Sequence, residues 1–109
     1  MEHFVGKGWL KLIEDNIPKL EALGAKITAP AYEKYGLLRI NVDNETPEVL
    51  DLLHKIEEES GHICEECGEA GEERVVNDWV RTLCDECYKT EIEYIQNLRR
   101  ERENKIGDK

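Results

Sequence analysis

The chain has 109 residues, the length of one domain or of one domain with a small appended module. Fifteen Lys and Arg against 25 Asp and Glu leave a formal charge of −10, and 37% of residues are ionisable, against about 25% in an average soluble protein. Such a chain repels phosphate backbones and anionic membranes, so nucleic acid is an unfavourable partner. No apolar run approaches the ~20 residues that span a bilayer. The start, MEHFVGK, lacks the basic-then-apolar order of a signal peptide. The expected location is the cytoplasm, and there four cysteines point to metal rather than to disulfides.

In chain order, apolar residues recur at Trp9, Leu12, Ile13, Ile17 and Leu20, which is a helical stripe from Gly8 to Leu23. Pro18 falls inside it, so the helix kinks there or a second one starts in that turn. Gly24 is a stop signal. From 25 to 43 the period changes. Ala25, Ile27 and Ala29 alternate with Lys26, Thr28 and Pro30, and Leu38, Ile40 and Val42 alternate with Leu37, Arg39 and Asn41. This predicts two half-buried strands joined around Tyr32–Gly36, with Pro30 at the end of an edge strand. Thr46-Pro47-Glu48 is a helix start: a capping hydroxyl, proline at the first helical position, then an acid facing the positive helix end. Val49, Leu52, Leu53 and Ile56 form its buried face. Further on, Arg74–Val76 and Trp79–Leu83 read as a hairpin around Asn77-Asp78. The last helix starts near Asp85 with Tyr88, Ile92, Ile95 and Leu98 as its stripe. Beyond Leu98 the sequence is nearly all polar and is expected to fray.

The chemistry lies in Cys64-Glu65-Glu66-Cys67-Gly68 and Cys84-Asp85-Glu86-Cys87, two C-x-x-C pairs separated by sixteen residues. Each turn points two sulfurs at one ion, and Gly68 permits the tight turn that follows. Together they supply the four thiolates of a structural, tetrahedral zinc site with no open position. One Zn2+ per chain through Cys64, Cys67, Cys84 and Cys87 is the expectation. Knuckle, hairpin, then a second pair opening a helix is the order of a treble-clef finger, with a zinc ribbon as the alternative. An iron–sulfur centre is the next possibility for the metal. A redox pair would need a βαβ setting, and a zinc deaminase would need His-x-Glu and a proline where Leu83 stands. His54 and His62 read as ordinary surface or half-buried histidines. No phosphate loop, nucleophile elbow or triad can be assembled, so no enzyme is expected. Trp9 and Trp79 are read as core or clamp residues, with Trp79 placed to cover the metal site or to close the gap between the two halves.

Between Glu57 and Glu73 stand eight acids (Glu57, Glu58, Glu59, Glu65, Glu66, Glu69, Glu72 and Glu73) and no Lys or Arg. A solvated face is one explanation. The other is a docking surface for a basic protein, with association speeded by steering. Arg99, Arg100, Arg102 and Lys105 are diluted by Glu101 and Glu103, too mixed for a phosphate-binding arm.

Gly8-Trp9 with Leu12-Ile13, Lys34-Tyr35-Gly36-Leu37-Leu38-Arg39, a helix to Glu59-Ser60, Cys64–Gly68, and Trp79-Val80-Arg81-Thr82-Leu83-Cys84 follow one another in order. Over residues 8–88 this resembles a family of small, mostly uncharacterised phage and prophage proteins. Cys87 departs from that family's pattern, which usually has His there, a swap compatible with zinc. The resemblance implies a phage-type accessory protein, in the host cytoplasm if phage-encoded, and supplies no catalytic residue.

The sequence therefore predicts an α+β protein: a helix–hairpin–helix half, residues 1–62, packed as one compact unit on a four-cysteine treble-clef-like finger with a long C-terminal helix, residues 63–109. The expected function is a zinc-binding protein-interaction protein, an inhibitor of a host or competitor defence or transcription system. A zinc-finger nucleic-acid-binding regulator is the alternative.

Overall fold

In the computed structural model the chain is described from residue 2 to residue 107, and its side chains as far as residue 102. A single 3-10 turn, Lys7–Trp9, leads into α1 (Leu10–Ala22); β1 (Tyr32–Lys34) and β2 (Leu37–Arg39) follow, then α2 (Pro47–Ser60), β3 (Glu72–Val76), β4 (Trp79–Leu83) and α3 (Asp85–Gly107). The fold is mixed α+β, with two separate two-stranded antiparallel sheets, as the sequence predicts.

Pro18 breaks nothing: α1 runs through it, with the ring on the exposed side. The helix ends where Gly24 predicts. Gly24 adopts φ +84°, its N–H donates to the Glu21 carbonyl at 2.9 Å, and the Ala25 N–H donates to Leu20 at 2.9 Å. This pair of bonds satisfies the last helical carbonyls in a Schellman motif. Helix α2 starts as expected, with the Thr46 hydroxyl accepting from Val49 N–H at 3.3 Å and Pro47 at the first helical position.

The first hairpin differs from its expectation. The ladder is not formed by residues 25–29 and 38–42; Tyr32–Lys34, expected as the connection, is itself a strand, paired Tyr32 to Arg39, Glu33 to Leu38 and Lys34 to Leu37. Tyr35 and Gly36 form a two-residue turn at φ +55° and +78°. Residues 25–29 join only through an isolated Ile27–Val42 bridge. Pro30 has no N–H to continue a ladder. At Ala31 the N–H donates to His3 Nδ1 and the carbonyl accepts from Phe4 N–H, both at 2.8 Å, so the N-terminal segment takes the pairing groups. The second hairpin is longer, Glu72–Val76 against Trp79–Leu83, and turns at Asn77 and Asp78, both with positive φ, as their side chains tolerate. Helix α3 does not end near Leu98: it continues to Gly107, and the last two residues lie outside the described chain. This gives the molecule its 62 Å long dimension.

The N-terminal half is built around Trp9, Leu12, Ile13, Ala31, Leu38 and Ile56, extended by Leu20, Ala25 and Val49. Ser60 closes it from the end of α2: its buried hydroxyl accepts from Leu38 N–H at 2.9 Å and donates to the Glu57 carbonyl at 2.5 Å. The finger half buries Cys64, Val76 and Leu83, with Tyr88, Ile92 and Ile95 of α3 packed against them. Three contacts clasp the halves. The Trp9 indole N–H donates to the Ile63 carbonyl at 2.9 Å, the Gly8 N–H donates to the Glu65 carbonyl at 2.9 Å, and the Thr82 hydroxyl donates to the Gly36 carbonyl at 2.5 Å. Gly8 is required: a Cβ there would lie 1.9 Å from the Cys64 carbonyl oxygen.

Candidate metal centre

The first C-x-x-C pair sits on a knuckle closed by backbone bonds. Cys64 N–H donates to the Glu69 carbonyl at 2.7 Å and Gly68 N–H donates to the Cys64 carbonyl at 2.9 Å. Gly68 itself is at φ +84°. One step further out, Gly71 N–H donates to the His62 carbonyl at 2.9 Å, beside the Ile63–Ala70 bridge. The second pair is delivered by the hairpin. Cys84 follows Leu83 at the end of β4, and Cys87 lies in the first turn of α3, where its N–H donates to the Cys84 sulfur at 3.4 Å. A helix N-terminus beside sulfur favours the thiolate.

All four sulfurs lie within 4.8 Å of one another and no disulfide joins them. The Cys67 and Cys84 sulfurs are 3.7 Å apart, close to the edge of about 3.8 Å in a tetrahedron of ~2.3 Å metal–sulfur bonds. The donor set therefore fits a tetrahedral thiolate-bound metal. Its acidities point the same way. Burial works against the Cys64 thiolate, but backbone N–H groups at Cys84, Cys67 and Glu66 outweigh it and bring its pKa down to about 7. Cys87 is pushed far above the usual thiol range by burial and by its three neighbouring cysteines. At Cys67 a backbone bond at Glu69 favours the thiolate, but burial and the neighbouring thiols raise its pKa. Four thiols this close cannot all ionise without a cation among them.

Around this centre the acidic run is less free than its sequence suggests. Glu65, expected on a docking surface, is 7% exposed and lies under Arg81, whose Nε donates to Glu65 Oε1 at 2.5 Å. Arg81 also pairs with Glu66 and, at 3.4 Å, with Glu91 of α3. Burial pushes the Glu65 carboxyl up, with Arg81 opposing, while these carboxylates hold the Arg81 guanidinium firmly charged despite its burial. Glu57 pairs with Arg39 at 3.3 Å, and Glu72 with Arg74 at 3.0 Å. Arg74 also pairs with Asp85 and lies 4.8 Å from the Tyr88 ring centroid, tying β3 to the start of α3. Glu58, Glu59, Glu69 and Glu73 are exposed. Half of the run, Glu57, Glu65, Glu66 and Glu72, is thus paired with arginines, and only Glu65 among them is buried; sequence reading missed these pairs because Arg39, Arg74 and Arg81 lie outside the run.

Trp9 is fully buried, as expected. Trp79 is not: it is 62% exposed at the hairpin tip and covers no metal. His54 and His62 are exposed and stand outside the cysteine cluster. Two residues that hold the site in place, Gly8 against the knuckle and Thr82 against the first hairpin, stand in the ordered motifs of the sequence, but nothing local signals these contacts. Comparison with known protein families, with curated proteins and with solved structures finds no match. No helix is long and apolar enough to cross a membrane, among the described residues.

Proposed function

We propose that the four cysteines hold one structural Zn2+ and that the protein is a non-enzymatic interaction protein braced by it. The observation that carries this reading is the quartet of sulfurs within 4.8 Å of one another: four protein ligands leave no position for a substrate, so the ion's contribution is to folding. The ordered motifs between Gly8 and Cys84 support a phage- or prophage-type accessory factor of the host cytoplasm. The favoured partner is a basic protein surface of a host or competitor system, with inhibition of defence or transcription as the outcome. The charge of −10 and the exposed Glu58, Glu59, Glu69 and Glu73 support such a partner.

Native mass spectrometry and elemental analysis test the metal: one zinc per chain is expected, and iron or no metal would refute it. A tagged chain recovered from its natural host tests the partner. Its binding should weaken with rising salt and with Glu58, Glu59, Glu69 and Glu73 changed to Gln. Exposed Arg99, Arg100 and Arg102 on α3 support the second reading, a nucleic-acid-binding regulator. Sub-micromolar DNA binding abolished by changing those three to Ala would put that reading first.

A further inference from the structure

The tips of the two hairpins, remote in sequence, meet in space. A cleft of about 490 Å³ lies between them, lined by Glu33, Lys34, Tyr35, Asp78, Trp79 and Val80. The tips are locked together: a Cβ on Gly36 would stand 3.1 Å from Val80 Cγ1, and the Gly36 carbonyl accepts the Thr82 hydroxyl. Tyr35 is 70% exposed and Trp79 62%, so most of each residue faces solvent. Tyr35 also occupies a turn position at φ +55°, where a bulky side chain costs about 1 kcal/mol or more and Asn or Gly is preferred. A strained aromatic left largely exposed on a turn marks a surface kept for something outside the fold.

The rims define the chemistry. Glu33 and Asp78 line the cleft, and the Lys34 ammonium already lies 5.8 Å from the Tyr35 ring centroid, so that ring is presented to a cation. Bases also stack on aromatic rings, but their phosphates would meet these carboxylates and a chain of charge −10. A guanidinium satisfies both features, since it stacks flat on aromatic faces and pairs with carboxylates.

Resting on the interaction reading above, we infer that the Tyr35–Trp79 cleft docks an arginine-bearing segment of a partner protein, its guanidinium on the rings and its charge against Asp78. The test is a titration of the zinc-loaded full chain, 15N-labelled, with the peptide acetyl-Gly-Arg-Gly-Arg-Gly-amide. The two tryptophans report separately. The Trp79 indole N–H and the Gly36 amide should shift saturably at millimolar peptide, while the buried Trp9 indole stays still. A citrulline version should bind at least about fivefold more weakly. Trp79→Ala and Tyr35→Gly should abolish the shifts; the latter suits the positive φ, so it should melt no lower than the parent. Lys34→Gln should tighten binding about twofold by removing a competing cation. No saturable shift, equal shifts with citrulline, or tighter binding of hexathymidylate would overturn the inference. A natural partner that binds Tyr35→Gly and Trp79→Ala as tightly as the parent would overturn the cleft and leave the interaction reading standing.

Discussion

Between Trp9 and Ile56 the chain buries nine apolar side chains, whereas beyond residue 62 it buries only Cys64, Val76 and Leu83 among the described residues. The two regions are similar in length, so chain length does not explain the contrast. The first makes a core from helix faces closed over a short hairpin. The second is a five-residue hairpin, a knuckle and one long helix, too little to bury a comparable area. A segment of this size without a sufficient core generally needs a cross-link or a metal. The cysteines occupy the place where apolar packing would otherwise be, and one of them belongs to the buried cluster itself.

Removing a ligand should separate the regions most sharply. Structural zinc in small fingers contributes on the order of 10–16 kcal/mol of apparent binding free energy at neutral pH. Cys84→Ser should therefore release the metal and expose the amides of residues 63–98 to hydrogen exchange, while α1 and α2 keep most of their protection. Equal loss in both halves would mean that neither stands alone. The reciprocal change is Trp9→Ala, which empties the centre of the other core and removes the donor to Ile63. It should cost about 3–5 kcal/mol, read as a lower melting temperature, with one zinc per folded chain retained.

Acid should discriminate through the metal. Ligand thiols must lose their protons, and Cys67 and Cys87, with raised pKa values, do so only when a cation takes the protons' place. Protons and zinc therefore compete, and apparent zinc affinity should fall steeply as pH drops from 8 to 6, the more so below about 7, where Cys64 is protonated as well. Competition with a chelator across that range measures it, and a flat profile would exclude a thiolate site. Gly36→Val strikes the seam between the halves. Its positive φ and the 3.1 Å approach to Val80 together predict a loss of roughly 1–3 kcal/mol with zinc stoichiometry unchanged. The smallest effect expected is that of Ser60→Ala, about 1 kcal/mol, from leaving the Leu38 N–H without its buried partner. Urea melts resolve both.

The parts legible in the sequence were those whose signal is local. Thr46-Pro47, Gly24 and Asn77-Asp78 act through their own backbones, and the C-x-x-C spacing carries its geometry within four residues. The first hairpin differs from the expectation because the alternation at Ala25 and Ile27 is genuine burial without a ladder. Pro30 and the pairing of Phe4 with Ala31 decide where the ladder starts, and the second of these is a contact between distant residues. Tyr35 is an unusual turn residue, so only Gly36 signalled the turn. Trp79 is aromatic and sits next to the finger in sequence, yet it opens β4 at a tip that nothing covers. The acidic run read as a surface because its cations, Arg39, Arg74 and Arg81, come from elsewhere along the chain.

The clasp of Trp9 on Ile63 also fixes an order of events during synthesis. The indole N–H near the start of the chain has no acceptor until residue 63 has been made, and Gly8 has no knuckle to close upon until Gly68. By then α1, the first hairpin and α2 are all present and can collapse as a unit, as N-terminal portions generally do on the ribosome. The emerging knuckle holds only two of its four sulfurs, and the other two follow once the second hairpin has been translated. Until then Cys64 and Cys67 stand without their two partner sulfurs. The four-sulfur site can be completed only once its last ligand, Cys87, has been made, after every residue of the N-terminal core.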